Sequence, residues 1–234
     1  VFQAFSLLRA FSPHVVIGMG GYSSAPVIIA AWILGIPRAI HEQNRIPGLT
    51  NRMLGRFANR VFVSFVDTRI PAGRGKTRFT GNAVREQIRK CAQERRLSAG
   101  RSDDKSFTVL VLGGSQGAHS VNMAVIDALT YLDAAEGWHF IHQTGAADEE
   151  AVRHAYRRLG ISATVAPFFD DMADHYAAAD LAVCRAGATT VSEIAAVGLP
   201  AVFIPFPFAA DNHQVANAEG LVEAGAAEMI MEGG

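Results

Sequence analysis

The stretch TVLVLGGSQGA, residues 108–118, decides the fold that we predict. A run of strongly apolar strand formers ends in GGSQGA, and a helical pattern follows it. Gly113 and Gly114 leave no side chain between the backbone and a ligand, and Ser115 adds a hydroxyl. The N–H groups and the positive dipole end of the next helix favour phosphate at such a turn. A glycine turn that only lets the strand and the helix pack closely is the alternative.

The same strand–helix unit recurs along the whole chain. Its alternation predicts βαβ units with parallel sheets, and the continuous apolar strands predict sheets that are covered on both faces. We therefore predict an α/β protein with two doubly wound Rossmann-like domains, residues 1–84 and 85–234. The predicted strands are 14–18, 38–41, 60–64, 77–80, 107–112, 138–142, 162–166, 180–183, 200–204 and 226–230. The predicted helices include 2–11, 23–34, 48–58, 84–91 and 171–178, and 91–105 is predicted to be a helix end and a loop.

Composition and charge limit the class of protein. Half of the 234 residues are hydrophobic, which suits a folded chain with a full core. Two distant cysteines, Cys91 and Cys184, make neither a disulfide framework nor a zinc spacing and favour a reducing compartment. Residues 1–101 carry 16 Lys/Arg against 4 Asp/Glu, a balance of +12, whereas residues 102–234 carry 5 against 18, a balance of −13. The split indicates either a basic half that faces an anionic partner or two solvated surfaces that attract each other.

A second glycine turn opens the stretch CRAGATTVSE, residues 184–193. Thr189, Thr190 and Ser192 lie in or near the first turn of the next helix, where hydroxyls and free amides suit a diphosphate. Glu193 follows, and a carboxylate can accept hydrogen bonds from both vicinal hydroxyls of a ribose. A polar N-terminal capping cluster without a ligand is the alternative for the hydroxyl residues.

A third turn, GMGGYSSAP at residues 18–26, lies in the basic half and precedes HEQN at residues 41–44 by one strand. Its glycines form another phosphate-type turn. His41 or Glu42 is a weak candidate for a general base, because a His at a strand end is more often structural. The pair Asp170–Asp171 predicts a helix start and no metal site, since neighbouring side chains diverge and no third ligand is in view.

Together these motifs resemble the two-domain (GT-B) glycosyltransferases, and among them the MurG family. The motifs are GGSQGA, GMGGYSSAP, HEQN and the stretch 184–218 with its glycine turn, Glu, GLP and D-x-x-Q-x-x-N-A. The family transfers N-acetylglucosamine from UDP-GlcNAc to undecaprenyl-pyrophosphoryl-MurNAc-pentapeptide (lipid I), giving lipid II for peptidoglycan synthesis. The resemblance implies two domains with parallel sheets that face each other across a cleft.

The resemblance also implies site residues. Glu193 matches the ribose contact, Gln214 the contact to the GlcNAc hydroxyls, and the backbone of Phe169 the contact to uracil. His213 stands where the family often has a second Gln. The full set of implied donor contacts is Asn44, Arg85, Ser115, Phe169, Ala188, Thr189, Thr190, Val191, Ser192, Glu193 and Gln214. The implied contacts to the acceptor pyrophosphate are Gly20, Gly21, Tyr22 and Ser23.

The reaction implied by the resemblance is inverting and uses neither a metal nor another cofactor. It occurs at the cytoplasmic face of the bacterial plasma membrane, with UDP-GlcNAc, lipid I and an anionic membrane surface as partners and no nucleic acid. The chain begins inside a helical pattern without Met and lacks the family's first glycine loop with its proposed base. We therefore expect a fragment, truncated at both ends, that is itself inactive in transfer. The alternatives are another GT-B enzyme with a lipid acceptor and a UDP-sugar-binding module without transfer.

Overall fold

The structure is a computed structural model that describes residues 2–98, 106–114, 117–131 and 137–232. Contacts divide the chain into two compact units. Unit 1 comprises Val1–Ala83 and Ala210–Asn217, and unit 2 comprises Val84–Ala209 and Ala218–Gly234. The predicted domains, 1–84 and 85–234, differ from these units chiefly in the segment 210–217.

Strands and helices alternate through both units. The strands are β1 (Val16–Gly18), β2 (Arg38–Glu42), β3 (Arg60–Val63), β4 (Thr77–Phe79), β5 (Phe107–Leu112), β6 (Trp138–Gln143), β7 (Ser162–Ala166), β8 (Leu181–Cys184), β9 (Ala201–Phe203) and β10 (Ala227–Met229). The helices are α1 (Phe2–Phe11), α2 (Ser24–Ile33), α3 (Leu49–Leu54), α4 (Glu86–Ser98), α5 (His119–Leu129), α6 (Glu149–Leu159), α7 (Met172–Ala178), α8 (Ala188–Val197) and α9 (His213–Glu223), with a 3₁₀ turn at Ala210–Asn212.

Unit 1 is built on a four-stranded parallel sheet in the order β1-β2-β3-β4. Its core joins buried residues of α1, α2 and α3 to the sheet, with Ile28, Ile40 and Val61 fully buried. The carboxyl ends of β1 and β2 carry the GMGG turn and HEQN, which places both motifs at one edge of the sheet.

Unit 2 is built on a six-stranded parallel sheet in the order β10-β9-β8-β5-β6-β7. β5 lies in the middle and is buried on both faces: Leu110 and Leu112 pack in one core, whereas Val109 and Val111 pack in the other. The first core is covered by α4, α7, α8 and α9, and the second by α5 and α6. This double burial explains why the strand has a continuous apolar run instead of an alternating one.

The predicted α/β class with two parallel sheets is confirmed, and each predicted strand is present within two residues at either end. Two helix ends were predicted wrongly. The helix predicted at 48–58 ends at Leu54, where Gly55 packs against Pro71: a Cβ on Gly55 would stand 2.7 Å from the Pro71 carbonyl oxygen. The helix predicted at 84–91 continues to Ser98, because the Gln, Glu, Arg and Leu residues that follow are strong helix formers. The polarity of the Gln, Glu and Arg residues resembles that of a loop.

Within the described residues no helix combines the length and the apolar character needed to cross a bilayer. The longest described helix, α4, has 13 residues and is rich in charge.

Candidate functional site

The strand order of unit 2 creates a topological switch point at the carboxyl ends of β5 and β8. After β5 the chain passes to α5 on one face of the sheet, and after β8 it passes to α8 on the other face. The two loops therefore diverge and leave a crevice between them, which is where open α/β sheets bind their ligands. The GGSQGA turn follows β5, and the RAGATT segment follows β8, so both predicted phosphate loops of unit 2 meet at this point.

The glycines of the GGSQGA turn have two different roles. A Cβ on Gly113 would stand 2.4 Å from the Ala118 nitrogen, and a Cβ on Gly117 would stand 2.3 Å from the Thr144 carbonyl oxygen. These two glycines are required for packing, as the alternative interpretation of the turn proposed. Gly114 has φ +83° and no neighbour within 4 Å of such a Cβ, so its surroundings are open to a ligand. Ser115, a predicted phosphate contact, lies outside the described residues.

The N-terminus of α8 offers backbone donors at the same crevice. Gly187 is the N-cap, and the first intrahelical bond is from the Val191 N–H to the Gly187 carbonyl, 2.9 Å. The N–H groups of Ala188, Thr189 and Thr190 therefore precede the hydrogen-bonded ladder of the helix and point out of its positive end.

The side chains at this helix start differ in what they can offer. Thr189 is exposed and Thr190 is half-buried, so their hydroxyls can reach a ligand. The Ser192 hydroxyl donates to the Ala188 carbonyl, 2.7 Å, within the helix. Ala188 and Val191 are buried in the core and have only backbone groups to offer, and the N–H of Val191 is already bonded.

Glu193 lies one turn inside α8 and joins a second predicted residue. Its Oε1 accepts a hydrogen bond from Arg85 Nε at 3.1 Å and forms an ion pair with Arg85 Nη2 at 3.1 Å, and its Oε2 accepts from the Tyr176 hydroxyl at 3.2 Å. The residue is only 5% exposed. Burial, and next the negative charge of Glu193, raise the pKa of Tyr176 far above its usual value, so this hydroxyl stays a donor. Beyond these two hydrogen bonds the carboxylate keeps about two of its roughly four acceptor positions.

Phe169 is placed beside the glycine turn by a residue that the motif analysis missed. Its ring is buried against His175, with ring centroids 4.1 Å apart. Its N–H donates to Gln143 Oε1, 3.1 Å, and Gln143 Nε2 donates to the Gly114 carbonyl, 3.0 Å. The backbone of Phe169 therefore has its carbonyl to offer to a base, whereas its N–H is already bonded. A polar residue at the end of an apolar strand next to the central strand was the only signal for Gln143.

A cavity of about 300 Å³ in unit 1 brings the GMGG turn and HEQN together. Gly20 and Gly21 both have positive φ, +87° and +74°, and form its rim with Tyr22, which is 92% exposed. Ser23 is exposed next to Tyr22. The other lining residues are Met19, Glu42, Gln43, Asn44, Ile46, Pro47, Gly48, Leu49, Thr50, Asn51, Ala210, Asp211 and His213.

Glu42 anchors the loop that borders this cavity. Its Oε1 accepts from the backbone N–H of Asn44 at 3.0 Å and from Asn44 Nδ2 at 3.3 Å. Its Oε2 accepts from the Gly48 N–H at 3.1 Å and from Asn51 Nδ2 at 2.8 Å. The residue is 2% exposed, so four N–H groups replace water around the carboxylate.

His41 and the remaining predicted residues of unit 1 have mixed surroundings. His41 is buried, with Nε2 3.2 Å from the Gly81 carbonyl and no hydrogen-bond partner at Nδ1. Asn44 Oδ1 accepts from Asn217 Nδ2, 3.1 Å. Gln214 is half-buried in the first turn of α9, within the segment that belongs to unit 1.

The structure thus groups the predicted residues into two sets. Arg85, Phe169 and 188–193 lie at the crevice of unit 2, whereas Asn44, Gln214 and the GMGGYS turn belong to unit 1. In the part of the chain that the structure describes, no three His, Cys, Asp or Glu side chains are arranged to hold a metal ion.

Comparison with known proteins identifies the family of this chain. Residues 108–233 match the glycosyltransferase family 28 C-terminal domain, and residues 1–63 match the family 28 N-terminal domain. A curated protein of Citrifermentans bemidjiense, named UDP-N-acetylglucosamine–N-acetylmuramyl-(pentapeptide) pyrophosphoryl-undecaprenol N-acetylglucosamine transferase, is 48% identical over 231 residues. The protein of the same name from Geobacter sulfurreducens is 47% identical over 232 residues. Each alignment covers 98% of this chain and 63% of the relative.

A solved structure agrees with this relationship. The crystal structure of Acinetobacter baumannii MurG matches with a TM-score of 0.79 and 37% identity, over 98% of this chain and 64% of that one. The predicted resemblance to the MurG family is thereby confirmed, and the chain spans a little under two thirds of the length of these relatives. The match to the family 28 C-terminal domain alone covers more than half of the residues of this chain, and the chain therefore belongs to glycosyltransferase family 28.

Proposed function

We propose that unit 2 binds the uridine diphosphate part of UDP-GlcNAc. The observation that carries the proposal is the convergence, at one switch point, of the open Gly114 turn, the N-terminus of α8 and the Glu193 carboxylate. The loop and helix N–H groups suit the two phosphates, and Glu193 suits the ribose hydroxyls. In this proposal the carbonyl of Phe169 accepts from the N3–H of uracil, and Gln214 contacts the GlcNAc hydroxyls.

In a chain of the relatives' length we propose transfer of N-acetylglucosamine to lipid I. A base removes the proton of the MurNAc C4 hydroxyl, and the oxygen attacks C1 of GlcNAc with inversion while UDP leaves. The negative charge that gathers on the leaving diphosphate is stabilised, in this proposal, by the preorganised N–H dipoles of the crevice and not by a metal ion. The cavity of unit 1 takes the acceptor, with its pyrophosphate at Gly20, Gly21, Tyr22 and Ser23.

Of the two weak candidates for the base within these residues, His41 is the better one. Each oxygen of Glu42 already accepts two N–H groups, so the acceptor positions of this carboxylate are occupied. His41 has an Nδ1 without a hydrogen-bond partner, which can accept a proton, although the motif resemblance assigns the base to the family's first glycine loop.

Calorimetric titration of residues 1–234 with UDP, ADP and UMP tests the donor half of the proposal. We expect UDP to bind at least tenfold more tightly than either competitor, because one lacks uracil and the other lacks the β-phosphate. Equal affinities for UDP and ADP would refute a uridine site. Radiolabelled transfer from UDP-GlcNAc to a lipid I analogue, measured for this chain and for one of the relatives' length, separates a transferase from a binding module. Turnover by the short chain would place the base within these residues.

We also propose a peripheral association of the basic half with the cytoplasmic face of the plasma membrane. Its support is the +12 balance of residues 1–101 and the exposed aromatic residues of unit 1: Phe2 is 94%, Phe11 81% and Trp32 48% exposed. Co-sedimentation with vesicles should increase with their content of anionic lipid and decrease with added salt. Binding that is indifferent to both would refute the electrostatic part.

A further inference from the structure

We propose that Gln143 is a positioning residue that couples the phosphate side of the candidate donor site to its base side. The inference rests on the proposed binding of UDP by unit 2. Gln143 ends β6, next to the central strand β5, and no part of its side chain contacts the predicted ligand in this proposal. It acts through the two backbone segments to which it is bonded.

The side-chain amide of Gln143 forms one bond to each segment. Nε2 donates to the carbonyl of Gly114, 3.0 Å, and Oε1 accepts from the N–H of Phe169, 3.1 Å. The two segments follow different strands, β5 and β7, and β6 lies between those strands in the sheet. One planar amide therefore sets the distance between the glycine turn and the start of the Phe169 segment.

The environment of Gln143 makes these bonds consequential. The residue is only 4% exposed, so water cannot readily replace a lost bond. Its own backbone carbonyl accepts from the Gly113 N–H at 3.3 Å, which ties the same residue to the turn a second time. The Gly114 carbonyl also accepts from the Gly117 N–H at 3.1 Å, so Gln143 adds a second bond to a carbonyl whose residue has φ +83° and no neighbour within 4 Å of an added Cβ.

The bond to Phe169 also assigns the direction of base recognition. Because the Phe169 N–H is bonded to Gln143, its carbonyl is the free backbone group. A carbonyl accepts from the N3–H of uracil, whereas N3 of cytosine carries no proton. Gln143 thereby contributes to discrimination between uracil and cytosine without touching either base.

Two variants separate the two bonds. In Gln143→Glu the carboxylate can still accept from the Phe169 N–H but cannot donate to the Gly114 carbonyl. In Gln143→Met the side chain has similar length and makes neither bond. A matched control is Asp180→Ala, which removes a 2.8 Å bond to the Thr108 N–H at the amino end of the same sheet, far from the crevice along the strands.

Affinities for uridine, UDP and CDP are measured for each variant and for the unaltered chain, with thermal unfolding beside them. We expect Gln143→Glu to bind UDP about 3- to 10-fold more weakly at neutral pH with little change for uridine. We expect Gln143→Met to weaken both ligands and to reduce the preference for UDP over CDP by a similar factor. The control should lower the unfolding temperature without changing any ratio of affinities.

A pH series supplies a readout that a purely structural role would not give. A protonated Glu is an isostere of Gln and can again donate to the Gly114 carbonyl. We therefore expect the ratio of UDP affinity to uridine affinity of Gln143→Glu, relative to that of the unaltered chain, to recover as the pH falls toward 5. Gln143→Met should show no recovery. Unaltered ratios in both variants, or equal losses for uridine and UDP in Gln143→Glu at every pH, would overturn the inference while leaving UDP binding intact. Failure of the unaltered chain to bind UDP would overturn the proposed function, and this inference with it.

Discussion

Replacement of Glu193 by Gln is the sharpest test of the candidate donor site. The carboxylate is almost fully buried and accepts from Arg85 and Tyr176. Gln has the same size, and its oxygen can still face Arg85 while its NH₂ group donates to the Tyr176 oxygen. The Arg85 side chain is 51% exposed, so water can solvate the charge that loses its partner. The variant therefore removes a negative charge with little loss of packing.

The expected loss of affinity follows from the hydrogen bonds to ribose. A bond to a charged acceptor contributes about 1.5–3 kcal/mol, and a bond between neutral groups contributes about 0.5–1.5 kcal/mol. The difference, about 1–1.5 kcal/mol, corresponds to a roughly 5- to 12-fold weaker affinity for UDP. The Arg85–Glu193 pair itself adds little to this difference, because solvent screens the guanidinium of Arg85, which is half exposed.

A cycle that combines the variant with an altered ligand isolates the contact. Calorimetry should give the 5- to 12-fold loss for UDP but equal affinities of both proteins for 2′,3′-dideoxy-UDP, which lacks the two hydroxyls. Equal losses for the two ligands would show that the charge of Glu193 acts elsewhere, and no loss for UDP would refute the ribose contact. Glu228→Gln, an exposed Glu on β10, is the matched control and should leave both affinities unchanged.

Three further predictions concern stability. Glu42→Gln replaces one of two oxygens that each accept two N–H groups by an NH₂ group that faces N–H donors. Urea denaturation should therefore show a free energy of unfolding lower by about 3 kcal/mol. An unchanged midpoint would contradict the anchoring role of Glu42. Burial lowers the pKa of His142 from 6.5 to about 4, so the unfolded chain takes up the proton before the folded one does as the pH falls. The free energy of unfolding should therefore be at its full value above about pH 6.5 and decrease by roughly 3 kcal/mol as the pH drops to 4. His142→Gln should abolish this pH dependence, whereas the control His139→Gln should leave it unchanged. Gly117→Ala should destabilise the fold by more than about 3 kcal/mol, because the new Cβ would stand 2.3 Å from the Thr144 carbonyl oxygen. The control Gly160→Ala has a positive φ but open space around the Cβ, so it should destabilise the fold by only about 1 kcal/mol. Similar unfolding temperatures for the two variants would contradict this prediction.

The sequence predicts best where local and long-range requirements agree. β5 has an apolar run that suits burial on both faces, a glycine turn that suits the close approach of the Thr144 carbonyl, and a helix pattern directly after it, so its bounds are predicted to the residue. α4 shows the opposite case. Its first half is predicted to be helical, at 84–91, but its second half is polar enough for a loop, and only the packing of Cys91 and Ala92 in the core indicates that the helix continues.

Site residues follow the same rule. Glu193 belongs to a motif within one strand–helix unit, so its position at the crevice can be inferred from the local amino-acid sequence alone. Gln143 and Tyr176 act on segments that are distant in sequence: Gln143 bridges residues 29 and 26 positions away, and Tyr176 reaches a carboxylate 17 positions away. No local pattern contains such partners, because they are set by the strand order β8-β5-β6-β7.

The electrostatics of the crevice differ from those of the basic half. Two arginines lie at the carboxyl end of the unit 2 sheet, and each is paired with a carboxylate: Arg85 with Glu193 at 3.1 Å and Arg185 with Glu232 at 2.5 Å. Their charges are therefore largely balanced before a ligand arrives. Attraction for a diphosphate at this edge must come mainly from the N–H groups of the glycine turn and of α8. The dipoles of these groups have fixed directions, and the groups carry no net charge. If unit 2 binds UDP-GlcNAc as proposed, such a site would hold the two phosphates of the donor and would release UDP without separating a tight ion pair.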